Sequence, residues 1–145
     1  HLRDARIAMI YEGTNGIQAL DLVGRKLPMA GGAHVTRLFD ELQNDLGALA
    51  EGPIKDGLAA GLNTLKDTTA WITDEQVDSD DRLAGATPYL KMFATVLGGF
   101  LLARAAHQAG VEQRDEREAS ARFYVQHCLP PATALSHAVK AGLAA

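Results

Sequence analysis

The sequence predicts an all-α fold. Apolar residues recur at three- and four-residue intervals along most of its 145 residues, and period-two alternation is nearly absent. Ala, Leu, Glu, Arg and Gln dominate, all good helix formers, while aromatic residues make up only 6%. Four long amphipathic segments with short connectors follow a shorter helical start, a pattern that predicts an up-and-down four-helix bundle.

The first element reads as a short helix, Leu2 to Ile10, stopped by the turn Tyr11-Glu12-Gly13-Thr14-Asn15-Gly16. Thr14 or Asn15 can cap a second helix, Gly16 to about Leu27, with Ile17, Leu20 and Val23 on one face. Pro28 ends it, and Met29-Ala30-Gly31-Gly32 reads as a linker. The first bundle helix carries Val35, Leu38, Phe39, Leu42, Leu46 and Leu49 and closes at Gly52-Pro53. The second carries Leu58, Leu62, Leu65, Trp71 and Ile72, and Gly57 and Gly61 on it would let a neighbour come close. Asp78-Ser79-Asp80-Asp81 then offers carboxylates to the start of the next helix, through capping and the helix dipole. That helix shows its firmest pattern after Pro88, from Tyr89 through Met92, Phe93, Val96, Leu97 and Phe100 to Leu101. Gly110 to Asp115 reads as a polar turn, and Glu116 to about Ala141 as a last helix broken at Pro130-Pro131. The division expected is 1–28 as the end of one helical domain and 33–145 as a bundle domain.

Composition excludes several function classes. With 47% hydrophobic and 22% charged residues the chain is globular rather than disordered. A net charge of −4 gives no basic face for nucleic acid. The apolar run Val96 to Ala106, broken by Gly98, Gly99 and Arg104, is too short for a membrane span. The single cysteine, Cys128, forbids an intrachain disulfide and favours a cytoplasmic setting. The chain opens on His1-Leu2-Arg3-Asp4 without Met and with no secretory leader, so it is expected to belong to a longer polypeptide.

One hexapeptide can carry chemistry. Tyr11-Glu12-Gly13-Thr14-Asn15-Gly16 sets a carboxylate at a helix end, before a glycine turn and the amino terminus of another helix. Free amides and partial positive charge at such a terminus suit a phosphate or a developing oxyanion. A carboxylate desolvated there would have its pKa raised and act as a general base. From these residues alone, a solvated Glu at a helix corner accounts for the motif as well.

The run Arg3-Asp4-Ala5-Arg6-Ile7, with Ile10-Tyr11-Glu12-Gly13-Thr14-Asn15-Gly16-Ile17-Gln18, resembles the carboxy-terminal signature of the acyl-CoA dehydrogenase family. The resemblance implies that Glu12 is the catalytic base, removing the α proton of an acyl-CoA thioester while the β hydride passes to FAD. It places Gly13 against the substrate thioester and Thr14, Asn15 and Gly16 along the flavin. It also makes the Glu12 backbone amide a donor to the thioester oxygen, beside a flavin hydroxyl. The implied product is the trans-2-enoyl-CoA, with an electron-transferring flavoprotein as the next acceptor. The family's amino-terminal helical and middle β domains have no counterpart in this chain. Residues 33–145 resemble the additional carboxy-terminal helical domain of larger, mainly bacterial members. This part of the enzyme is therefore expected to be inactive alone. Apolar stripes that include Leu2, Ile7, Ile10, Ile17, Leu20 and Val23 are expected either to fold back on the bundle or to drive association into a homo-oligomer.

Two other readings compete. Residues 33–145 could be an interaction or oligomerisation module without catalysis, or the chain could belong to a flavin-containing, DNA-binding relative. The acidic charge weighs against the latter. No metal site is expected: His127-Cys128 has no further cysteine and no histidine one turn away. Trp71, Phe93, Phe100 and Phe123 read as core aromatics, and Arg114-Asp115-Glu116-Arg117-Glu118 as a solvated helix start.

Overall fold

The computed structural model describes residues 14–143. Among them are seven α-helices and no strand: α1 (Asn15–Asp21), α2 (Ala33–Ala48), α3 (Pro53–Thr73), α4 (Ser79–Ala84), α5 (Ala86–His107), α6 (Val111–Phe123) and α7 (Pro131–Lys140). Wide π turns follow α1 (Leu22–Lys26) and α6 (Tyr124–Cys128). The expected bundle is formed by α2, α3, α5 and the composite α6–α7, with α5 against α3, α6 and α7.

Local chemistry explains the boundaries. The Met29–Gly32 linker reverses the chain through left-handed backbone at Ala30 (φ 53°), Gly31 (φ 64°) and Gly32 (φ 82°), a conformation open to glycine at no steric cost. Leu49 is extended, Gly52 takes φ 144°, and Pro53 opens α3 at a position that needs no amide donor. Asp78 caps α4 as expected, accepting from the Asp80 amide at 2.8 Å. Pro88 lies inside the first turn of α5, whose leading amides have no intrahelical acceptor.

Three details differ from expectation. The segment after Gly110 is helical from Val111, so Gly110–Asp115 is not a turn. Its charged residues face solvent and pair along the helix, Arg117 with Gln113 and Arg122 with Glu118, each at 2.9 Å. The break at Pro130-Pro131 is real, but a π turn begins seven residues earlier than Pro131, at Tyr124. It sends the Tyr124 hydroxyl to the Thr95 carbonyl (3.1 Å) and seats Val125 and Leu129 over Gly57 and Gly61. α5 is, by length and composition, apolar enough to cross a membrane, unlike the shorter run read from sequence. Its apolarity serves the core, because Tyr89, Met92, Val96, Phe100 and Ala103, spaced along one face of the helix, are all buried.

The core runs through Leu42, Leu46, Leu58, Leu62, Leu65, Ile72, Met92, Val96 and Phe100, with Trp71 and Phe93 packed at its edge. Two hydroxyl pairs stitch it together. Thr69 donates to the Leu65 carbonyl (2.7 Å), so the Tyr89 hydroxyl, also at 2.7 Å, donates to Thr69. Thr68 donates to the Thr64 carbonyl (2.7 Å) and receives the Ser136 hydroxyl at 2.7 Å.

Burial pushes the Tyr89 phenol well above its usual range, against a smaller lowering from its Thr69 bond. The unfolded phenol titrates near pH 10, and the folded one holds its proton longer. Stability from this group is therefore complete below about pH 10 and falls as pH rises further. Urea midpoints measured from pH 9 to 11.5 should show this loss, and Tyr89→Phe should lessen it, the Tyr124 phenol, also raised by burial, keeping part of it.

Glycines give a second check. A Cβ at Gly85 would lie 2.8 Å from the Val139 carbonyl oxygen, a backbone atom, whereas one at Gly47 in α2 would meet nothing within 4 Å. Gly85→Ala should destabilise the fold by about 1–3 kcal/mol. Gly47→Ala should stabilise it by about 0.4–1 kcal/mol. Thermal melts of the two variants should move in opposite directions.

Candidate functional site

Thr14, Asn15 and Gly16 are brought together as an exposed strip at the start of α1, while Glu12 and Gly13 lie outside the described residues, as does the helix expected over Leu2–Ile10. The Thr14 carbonyl accepts from the Gln18 amide at 2.8 Å, so the helix is already under way there. Neither residue caps the helix as expected. Thr14 has helical backbone (φ −87°, ψ −13°) and makes no side-chain cap bond, whereas a cap needs extended backbone to swing its oxygen onto the amides. A Cβ at Gly16 would meet nothing within 4 Å, so the strip is not covered by the bundle.

α1 is anchored by its opposite face. Ala19 (0% exposed), Val23 and Leu27 join the bundle core, while Ile17 (65%) and Leu20 (46%) point away from it. Of the apolar stripes read from sequence, Val23 folds back and Ile17 and Leu20 do not, while Leu2, Ile7 and Ile10 lie outside the described residues; Ala19 and Leu27 do much of the anchoring. The π turn after α1 is clamped by one carboxylate. Asp21 receives Arg25 at 2.5 Å and Lys26 at 3.3 Å, and the Arg25 hydrogen bond, with help from Lys26, holds its carboxyl below the ordinary value. The wider turn aligns residues five apart, which explains how both cations reach Asp21.

A cavity of about 340 Å³ lies elsewhere, where the α2–α3 connection meets the end of α5 and one side of α6. Ile54, Ala103, Ala106 and Ala121 give it an apolar lining, and Arg114 and Glu118 bring charge to it. Glu118 is engaged by Arg122. No group of three His, Cys, Asp or Glu is placed for a metal among the described residues. His127 stacks on the Phe123 ring, with centroids 4.7 Å apart, and Phe123 itself is exposed rather than in the core.

The sequence profile of the family described as "Acetyl-CoA dehydrogenase C-terminal like" matches residues 37–145, which takes in nearly all of α2 and every later helix. The 3-methylmercaptopropionyl-CoA dehydrogenase of Ruegeria pomeroyi (strain ATCC 700808 / DSM 15171 / DSS-3) is 33% identical over 122 residues, covering 76% of this chain and 20% of that protein. The chain thus spans about a fifth of the length of this relative. Its bundle belongs to the acyl-CoA dehydrogenase family, as the C-terminal domain that the matched profile describes.

Proposed function

We propose that this chain is the carboxy-terminal part of a flavin-dependent acyl-CoA dehydrogenase and brings the catalytic base, Glu12, together with the appended bundle of residues 33–145. The observation that carries the reading is a juxtaposition: the Tyr11-Glu12-Gly13-Thr14-Asn15-Gly16 motif runs directly into α1, which is anchored on a bundle of this family. The relative's name supplies the substrate class, an acyl-CoA thioester.

In this reading the Glu12 carboxylate takes the α proton of the thioester. Burial against substrate and flavin raises the pKa of that carboxyl and makes it a stronger base. The Glu12 amide donates to the thioester oxygen, where negative charge grows as the proton leaves. Gly13, lacking a side chain, lets the thioester approach the backbone. Thr14, Asn15 and Gly16 would hold the flavin, and their exposure and the open space at Gly16 support that role. FAD, when bound, accepts the β hydride. An electron-transferring flavoprotein as reoxidant and a homo-oligomeric parent belong to the same proposal.

The proposal divides labour between this chain and the rest of the enzyme. The 145-residue chain purified alone should be colourless and should not reduce a dye with acyl-CoA. The full-length protein should be yellow and form an enoyl-CoA. Stoichiometric FAD on the isolated chain after gel filtration would overturn the division, and a full-length protein with neither flavin nor turnover would overturn the function.

A further inference from the structure

A second cavity, of about 240 Å³, lies where the π turn after α1 meets the end of α3 and α4. Val23, Pro28, Ile72 and Leu83 wall it with carbon, and Ser79 and Arg82 supply its polar side. Arg82 is the anomaly here. Its Nε is buried with no hydrogen-bond partner, and its guanidinium makes no ion pair among the described residues. None of the neighbouring carboxylates pairs with it: Asp78 accepts from the Asp80 amide and Asp81 from the Leu143 amide, each at 2.8 Å, and Asp80 makes no ion pair among the described residues.

A partly buried guanidinium without an acceptor is costly, and an anion beside it would offset that cost. The two Nη groups, which unlike Nε are not sealed from solvent, can fork the two oxygens of a carboxylate. The Ser79 hydroxyl makes no hydrogen bond among the described residues and is available as a further donor. Inorganic phosphate would leave the carbon wall wet, and a second carboxylate would be buried against Ile72. The volume equals about eight waters at liquid density, room for a chain of several carbons. Leu83, 43% exposed, is the apolar edge such a chain would cover.

We propose that this cavity binds a short aliphatic monocarboxylate, with its carboxylate forked on Arg82 and its chain against Val23, Ile72 and Leu83. The site is separate from the Glu12 turn and stands whether or not Glu12 is a base.

Titration of the 145-residue chain with hexanoate, followed through the backbone amides of residues 79–83 and 22–24, tests it. Saturable shifts at both segments are expected. Arg82→Met should weaken binding about tenfold or more, the value of a charge-assisted bond, and Arg82→Lys should fall between the two. Propionate, shorter by three methylenes, should bind about tenfold more weakly, because full burial of that length is worth roughly fiftyfold and the cavity is half open. Hexanamide should fail. If Arg82→Met does not fold, Leu83→Asp sets a like charge at the exposed edge and should also weaken hexanoate about tenfold. Unsaturable shifts, wild-type affinity in the folded variants, or propionate binding as tightly as hexanoate would overturn the site. The last result would mark Arg82 as a seat for an acidic side chain of another protein segment.

Discussion

Replacing Glu12 by Gln in the full-length protein is expected to slow acyl-CoA-dependent flavin reduction by about 10²–10⁴ while acyl-CoA still binds. Gln keeps the size and much of the hydrogen bonding of the side chain but cannot accept a proton. The α proton of a thioester is weakly acidic, so no step downstream can compensate for a missing base. The loss should be larger still where water is excluded, since no hydroxide can substitute. Glu12→Asp shortens the reach of the carboxylate without removing it and should keep part of the rate. Glu116→Gln, an exposed carboxylate on α6, is the matched control and should leave turnover unchanged. Stopped-flow bleaching of the flavin reads all three. Bleaching of Glu12→Gln at the parent rate would make Glu12 a solvated corner residue.

Truncating Phe100 should give the largest stability change in the bundle. Its side chain is 2% exposed in the middle of α5, the helix that touches most of the others. Phe→Ala at such a position costs about 3–5 kcal/mol, part lost transfer energy and part the cavity left behind. Domains of this size are stable by about 5–15 kcal/mol in all, so the variant should sit near its unfolding threshold. Leu101, the next residue, is 52% exposed, and Leu101→Ala should cost no more than about 1 kcal/mol. Urea unfolding of the pair gives the comparison, with an unchanged slope showing that stability alone has moved.

The contrast between neighbours on α5 shows what the sequence discloses and what it conceals. Helical spacing marks Phe100 and Leu101 as equally apolar, and only packing separates them. Where one physical effect dominates locally, the reading from residues holds: Gly57 and Gly61 admit Val125 and Leu129, Asp78 caps α4, and the two prolines break the last helix. The start of α6 was misread because charge density resembles a turn unless its four-residue pairings are weighed. The hydroxyl pairs Thr69–Tyr89 and Thr68–Ser136 join residues 20 and 68 apart, and no local pattern announces them. Threonines on an otherwise apolar face of α3 were the available signal. Neither π turn has a signature in composition, because each depends on what its side chains meet across the bundle.

The candidate site was legible in a different way. Nothing in periodicity distinguishes Glu12 from a capping or solvated carboxylate, and its proposed role rests on the motif around it. Thr14, Asn15 and Gly16 were placed at the head of a helix, where they stand, although the cap expected of them does not form. Arg82 carries no mark in the sequence beyond its place after Asp78-Ser79-Asp80-Asp81. Only the structure shows its Nε buried without a partner, with Asp78 and Asp81 each accepting from a backbone amide.

The proton abstraction proposed for Glu12 can be measured apart from oxidation. The full-length protein, anaerobic in D₂O with a saturated acyl-CoA, should exchange the α hydrogens of the recovered substrate for deuterium, read by mass spectrometry. The account predicts that this exchange is lost in Glu12→Gln while acyl-CoA binding persists. Exchange at an undiminished rate in that variant would contradict it.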